Sequence, residues 1–117
     1  MRLNEVRYEG AEPVDGYGPG FFRVSGKVYD GPILLSPDKV TAWGGFDDTA
    51  FVEGLRGKID VLFVGTGAEI AHIPSAFRDT LDSVGIGVEL MATPTACRTY
   101  NVLLGEGRRV GAILLPV

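Results

Sequence analysis

Residues 60–67, DVLFVGTG, decide the fold that this sequence encodes. From Val61 to Val64 every side chain is apolar, and polar residues do not alternate with them. Such a run is typical of a strand with both faces buried, as in a parallel sheet covered by helices. Gly65-Thr66-Gly67 then ends the strand in a tight loop. The stretch therefore predicts a central strand of an α/β sheet.

The next segment, residues 74–85, has a helical pattern. Phe77, Leu81 and Val84 recur at helical spacing, so that they share one face. Pro74 lies near the first turn, where a missing N–H does no harm, and Gly85 supplies the stop. The pattern predicts an amphipathic helix packed on the sheet.

A second strand and helix follow, and then a last strand. Residues 87–91, GVELM, predict the strand, and Thr93 is expected to cap a helix that has Pro94 at its first position. This helix is expected to run to about Gly105, and residues 108–117 predict the last strand. The order strand, helix, strand, helix, strand favours right-handed crossovers and a largely parallel core.

The first half of the chain predicts two β-hairpins that form an antiparallel meander. The first joins residues 21–24 to residues 27–29 through Ser25-Gly26, where glycine accepts a positive φ. The second joins residues 33–35 to residues 40–43 through a proline-containing turn.

Two further segments complete the predicted elements. Residues 16–20, GYGPG, are expected to lack regular structure because glycine and proline dominate them. Residues 50–55 are expected to form a short helix. With no linker or repeat, the chain is predicted to be one domain, residues 1–117, since 117 residues is close to the commonest domain size.

Composition argues against several classes of protein. The net charge is −4, and Arg108-Arg109 has no basic neighbours, so a nucleic-acid surface is not expected. No apolar run approaches the roughly 18 residues of a membrane helix, and residues 1–16 lack the apolar core of a secretion signal. The single cysteine leaves no partner for an internal disulfide or a cysteine-based zinc site. We expect a cytoplasmic protein without a metal or cofactor.

Two loops are expected to meet at the carboxyl ends of the parallel strands, where α/β sheets bind ligands. They are Gly65–Gly67 and Met91–Thr95. The first lacks the third glycine and the immediate helix of a dinucleotide fingerprint, so a structural turn is the better interpretation. The second opens a helix whose free N–H groups and positive end suit an anion, although capping alone explains the same residues. The candidate ligand-binding residues are Gly65, Thr66, Gly67, Thr93, Thr95, Arg98 and Asn101.

Cys97 and His72 are weak candidates for a catalytic pair. A cysteine near a helix N-terminus acquires a lowered pKa, and the only histidine follows the neighbouring loop. Against this, lone cysteines are among the residues most often buried, and no third group is identifiable to orient the imidazole.

The combined motifs resemble a known family. They are residues 16–26, Trp43, residues 60–67, residues 85–91 and residues 96–116, which reads ACRTYNVLLGEGRRVGAILLP. In this order they resemble the Mth938-like family of small bacterial and archaeal proteins, which includes mitochondrial respiratory complex I assembly factor 3 and the adipogenesis-associated Mth938 domain-containing protein.

This resemblance implies a fold more than an activity. It implies three layers: an antiparallel β part, a central mixed sheet and flanking helices, with the last strand antiparallel to its neighbours. It brings no established mechanism or cofactor, and for the mitochondrial members it implies help in assembling complex I at the inner membrane. The signature positions that it transfers, without a proven role, are Gly65, Thr66, Gly67, Arg98, Thr99, Tyr100 and Asn101.

Two functions follow as hypotheses. One is a non-enzymatic interaction or assembly-factor-like protein, whose partners include respiratory-complex subunits and which is able to self-associate. Aromatic residues in the stretch 16–22 and Trp43 would form its binding face unless they are buried. The other is a small-ligand or anion-binding protein, or an enzyme, that uses the crevice between Gly65–Gly67 and Thr93–Arg98.

Overall fold

The computed structural model describes residues 12–117. The prediction that the first residues carry no targeting signal concerns mainly residues 1–11 and lies outside this range. In the described range the strands are β1 Val14–Gly18, β2 Phe21–Val24, β3 Lys27–Asp30, β4 Ile33–Ser36, β5 Lys39–Ala42, β6 Val61–Gly65, β7 Gly87–Met91 and β8 Val110–Leu114. The helices are α1 Phe51–Leu55, α2 Ser75–Ser83 and α3 Thr93–Gly105. None of these helices combines the length and the hydropathy of a membrane span.

The first three strands form a small antiparallel sheet in the order β1-β2-β3. The predicted hairpin turn is confirmed, because Ser25 and Gly26 have φ values of 50° and 78°. The expectation that residues 16–20 lack regular structure is wrong. Residues 16–18 belong to β1, which pairs with β2 with a register shift between Val14 and Gly16. Pairing with β2 therefore outweighs the low strand propensity of glycine.

The other five strands form one mixed sheet in the order β5-β4-β8-β6-β7. The second predicted hairpin, β4 and β5, belongs to this sheet, so the two hairpins do not form one continuous meander. Strand β8 lies parallel to β6 and antiparallel to β4. The family resemblance implies a last strand antiparallel to both neighbours. This is correct for the pairing of β8 with β4 and wrong for its pairing with β6. The expected α/β architecture, an antiparallel part beside a mixed sheet with helices, is confirmed.

The five-stranded sheet separates two hydrophobic clusters. On one face, helix α3 and the small sheet enclose a cluster that includes Phe22, Phe63 and Tyr100. On the other face, α1 and α2 cover a cluster that includes Phe77 and Leu81. Because each face of β6 has its own cluster, the strand is buried on both sides, as its unbroken apolar run predicts.

Candidate functional site

The two predicted loops meet at the carboxyl ends of β6 and β7. The Thr66 N–H donates to the Met91 carbonyl oxygen at 3.0 Å, as an extension of the parallel strand pair. The Thr93 N–H donates to the Gly67 carbonyl oxygen, and the Gly67 N–H donates back to the Thr93 Oγ1, both at 2.8 Å. The loops are thus joined by hydrogen bonds rather than separated by an open slot.

Thr93 connects this junction to the segment after β8. Its side chain is fully buried, and its hydroxyl donates to the Leu115 carbonyl oxygen at 2.6 Å. The expectation that Thr93 caps α3 is wrong, because the residue before the helix is Ala92 and no side chain makes a capping bond. The hydroxyl turns toward Gly67 and Leu115, whose backbone groups would otherwise lack a partner. Thr93 therefore holds three chain segments together.

Gly65 lets α3 approach the end of β6. A Cβ atom at this position would lie 2.8 Å from the Thr93 Oγ1, 2.9 Å from the Thr93 Cα and 3.1 Å from the Ala96 Cβ. These distances are shorter than van der Waals contact. The atoms belong to two short side chains and the backbone of α3, which have little freedom to move away from Gly65. The first glycine of the Gly-Thr-Gly motif is therefore explained by close packing.

Thr66 shapes the loop after β6. Its hydroxyl donates to the Glu69 carbonyl oxygen at 2.9 Å and accepts a bond from the Ala71 N–H at 2.9 Å. The side chain thereby replaces backbone partners that an irregular loop lacks. The middle residue of the motif organises residues 66–71.

Few donors remain free at the start of α3. The Thr93 N–H is bonded to Gly67, proline at position 94 has none, and the Ala96 N–H donates to the Ala92 carbonyl oxygen. Within residues 12–117 the Thr95 N–H is then the free backbone donor of this turn. The exposed Arg98 guanidinium donates to the Thr95 hydroxyl through Nη2 at 3.3 Å. An anion at this point would meet one N–H, one hydroxyl and one guanidinium.

Asn101 lies away from the strand-end loops and joins α3 to the small sheet. Its Nδ2 donates to the Val14 carbonyl oxygen and its Oδ1 accepts the Val14 N–H, both at 2.8 Å. The amide gives β1 the paired bonds that a neighbouring strand would give. Asn101 lies on the helix that follows the second loop, and nothing in the local sequence pattern points to its contact with Val14.

Cys97 and His72 are not brought together. Cys97 is buried in the cluster under α3, and this burial raises the pKa of its thiol to about 11. His72 is exposed and lines a shallow cavity of about 210 Å³ with Ile70, Ala71 and Leu90. Leu90 packs against the cluster on the opposite face of the sheet. The thiol therefore has neither the lowered pKa nor the imidazole neighbour that a nucleophile requires.

Tyr100 is a signature position, and the helical spacing of residues 96–104 predicts that it lies on the apolar face of α3. Its side chain is fully buried in the α3 cluster. Within residues 12–117 its hydroxyl has no hydrogen-bond partner. Burial, together with the negative charge of Glu12, raises the pKa of this hydroxyl, so Tyr100 stays protonated. The same described residues contain no group of three or more His, Cys, Asp or Glu side chains placed to hold a metal ion.

Comparisons with known proteins identify relatives over nearly the whole chain. An uncharacterised protein of Rhodobacter capsulatus is 49% identical over 117 residues, which cover all of this chain and 94% of that protein. NADH dehydrogenase [ubiquinone] 1 alpha subcomplex assembly factor 3 of Homo sapiens is 32% identical, with 98% of this chain and 67% of that protein covered.

Solved structures share the fold. An outer membrane protein from Bartonella henselae superposes with a TM-score of 0.82 at 33% identity, covering 93% of this chain and 98% of that chain. A Bordetella pertussis protein described as a Mth938-like domain superposes with a TM-score of 0.77 at 27% identity, covering 99% and 92%. Residues 14–115 match the model of the family described as protein of unknown function (DUF498/DUF598). The resemblance to Mth938-like proteins is thus confirmed, and the chain belongs to the DUF498/DUF598 family.

Proposed function

We propose that this protein is a non-enzymatic interaction factor that helps partner proteins assemble, and that its partners include subunits of a membrane-associated respiratory complex. The observation that carries the proposal is the 32% identity to a human protein named as a complex I assembly factor, over 98% of this chain. A likeness of this extent covers both sheets and the strand-end junction, which supports a shared mode of action. The proposal includes a cytoplasmic location.

The geometry supports the proposal because the conspicuous polar residues are engaged in the fold. Thr93 and Asn101 bond to backbone groups of other segments, Thr66 bonds to backbone groups of its own loop, and Cys97 is buried with a raised pKa. Side chains that catalyse a reaction are instead expected to be accessible and to have a pKa suited to proton transfer. The chemistry of these residues is thus more consistent with a rigid binding domain.

The predicted aromatic face is reduced to a small area. Phe22 and Trp43 are buried, and Trp43 packs edge-on against Phe46 and Phe77. Tyr17 is 40% exposed and Phe21 is half-buried, so the glycine-rich stretch still offers an aromatic contact. The aromatic contribution of this region to partner binding is therefore limited to Tyr17 and Phe21.

An anion or small-ligand site at the strand-end crevice stays a prediction. It is less favoured because most backbone groups there already bond to each other. Titration with inorganic phosphate, followed by amide NMR shifts, tests it directly. A saturable shift at Thr95 that is lost in Arg98→Ala would support the site.

The proposal is tested by purifying tagged full-length protein from gently detergent-solubilised native cells and quantifying the co-purified proteins by mass spectrometry. Parallel samples carry Tyr17→Lys or Val28→Lys, since both side chains are exposed and the fold should tolerate the change. We expect subunits of one membrane complex to be enriched with the wild-type bait. Efficient recovery of the bait with no enriched partner, both with and without chemical crosslinking, would contradict an assembly role.

A further inference from the structure

Strand β7 is one of the two edge strands of the five-stranded sheet, the other being β5, and it pairs on one side with β6. The Gly87 N–H donates to the Asp60 carbonyl oxygen at 2.9 Å, and the Met91 carbonyl oxygen accepts the Thr66 N–H. In a parallel ladder, alternate residues direct both backbone groups to the same neighbouring strand. Residues 87, 89 and 91 therefore face β6, whereas Val88 and Leu90 direct their N–H and C=O groups outward.

One of these outward groups is already bonded. The Arg78 Nη1 donates to the Val88 carbonyl oxygen at 3.3 Å, which closes the start of the edge. Among residues 12–117, no partner exists for the Leu90 N–H, the Leu90 carbonyl oxygen or the Val88 N–H. An added strand can therefore form hydrogen bonds with both the N–H and the C=O group of Leu90.

An apolar recess lies beside this open position. The shallow cavity of about 210 Å³ is lined by Leu90 together with Ile70, Ala71 and His72 of the preceding loop. Ile70 is 65% exposed, the largest exposed fraction among the large apolar side chains of the described chain. Recognition by strand addition needs this combination of free backbone groups and a recess for alternate side chains.

The charge around the edge is negative. Glu69 and Glu89 are exposed and are the chain neighbours of Ile70 and Leu90, which line the recess. Because side chains alternate along a strand, Glu89 projects from the face opposite to Leu90, where the flanking residues of an added strand would also project. The Arg78 guanidinium on α2 is engaged with the Val88 carbonyl oxygen. The surface therefore complements lysine and arginine side chains.

We propose that β7 binds an extended peptide segment of a partner protein, which adds as a further strand, places an apolar side chain in the Ile70–Leu90 recess and flanks it with lysine or arginine. This inference rests on the proposed interaction function and assigns its contact surface. Leu90 supplies the central backbone pair, Ile70 the apolar contact, and Glu69 and Glu89 the charge complement.

A second copy of the chain is a poorer occupant. Antiparallel pairing of two β7 strands about Leu90 would set Glu89 diagonally across from its copy, about 7–8 Å away on the same face. Two like charges at this distance oppose the pairing, whereas a basic peptide reduces the charge.

The test uses the full chain and two synthetic libraries of peptides of about nine residues. Both carry a central Val, Ile, Leu or Phe. One has Lys or Arg at the flanking positions, and the other has Asp or Glu. Binding is measured by fluorescence anisotropy, and amide NMR shifts locate it. The variant Ile70→Lys adds a positive charge in the recess, and Val102→Lys makes the same change at a 59% exposed site on α3.

We expect peptides of the basic-flanked library to bind and to shift the amide resonances of Val88 and Leu90. Binding to the Ile70→Lys variant should be about tenfold or more weaker, and binding to Val102→Lys should stay within about twofold of wild type. The absence of binders, selection from the acidic library, or equal binding by Ile70→Lys would overturn the assignment. Dilution-dependent shifts of β7 without peptide would identify self-pairing and overturn it too. If the Ile70→Lys variant still co-purifies with the cellular partners, the assignment of β7 as the contact surface is wrong, while the proposed interaction function stands.

Discussion

Replacing Thr93 by valine removes a hydroxyl that joins three chain segments while it keeps the branched shape of the side chain. The Gly67 N–H then loses its acceptor in a buried site, and the Leu115 carbonyl oxygen loses its donor. A buried group left unpaired costs about 1–3 kcal/mol. Because Leu115 is half-buried, its carbonyl oxygen can regain part of a hydrogen bond from water. The two losses together should therefore lower the free energy of unfolding by about 2–4 kcal/mol.

Equilibrium urea unfolding, followed by circular dichroism, measures this loss. With a slope of about 1.5 kcal/mol/M, the expected shift of the midpoint is about 1–3 M. Thr93→Ser is the matched control, because it keeps both bonds and removes one buried methyl group, which costs about 1 kcal/mol. The reasoning fails if Thr93→Val is as stable as the wild type, or if Thr93→Ser is the less stable of the two variants.

Three more predictions concern Gly65, Asn101 and Cys97. Gly65→Ala should cost about 1–3 kcal/mol through the clash with Thr93, measured by thermal unfolding, and a neutral effect would contradict close packing there. Asn101→Leu should cost about 1–3 kcal/mol and speed hydrogen exchange at the Val14 amide, whereas unchanged exchange would show that the amide pair does not hold β1. With a pKa of about 11, about one Cys97 thiol in a thousand is ionised at pH 8. Iodoacetamide should therefore alkylate the folded protein slowly at pH 8, and the rate should increase as the pH rises toward 11. Rapid alkylation of the folded protein at pH 8 would refute the burial argument.

The sequence allows most elements to be predicted because their signals are local. The unbroken apolar run of β6, the helical spacing in α2 and the glycine that ends α2 each act within a few residues. Gly85 has a φ of 81°, which is the conformation that its place after the helix requires. The meeting of the two loops is predictable for a different reason, because the carboxyl ends of parallel strands lie at the same edge of the sheet.

The remaining features depend on partners far along the chain. Threonine is a residue type that often caps helices, but the Thr93 hydroxyl donates instead to the carbonyl oxygen of Leu115, 22 positions away. Asn101 pairs with Val14 across 87 positions. Residues 16–18 become a strand because β2 supplies a pairing partner. No periodicity encodes such distant contacts, so the roles of these residues had to come from the structure.

The central position of β8 has a consequence for how the chain folds during synthesis. Strands β5-β4 and β6-β7 are two separate pairs until β8 enters between them, and β8 is the last of the described strands to be made. A ribosome-bound chain that ends before residue 110 therefore lacks the strand that joins the two pairs, and β4 and β6 each keep an unpaired edge. The mixed sheet should form in one late step once residues 110–114 have left the exit tunnel, and long-range pairing of this kind is intrinsically slow. Until then, the exposed edges of β4 and β6 make the nascent chain a substrate for chaperones.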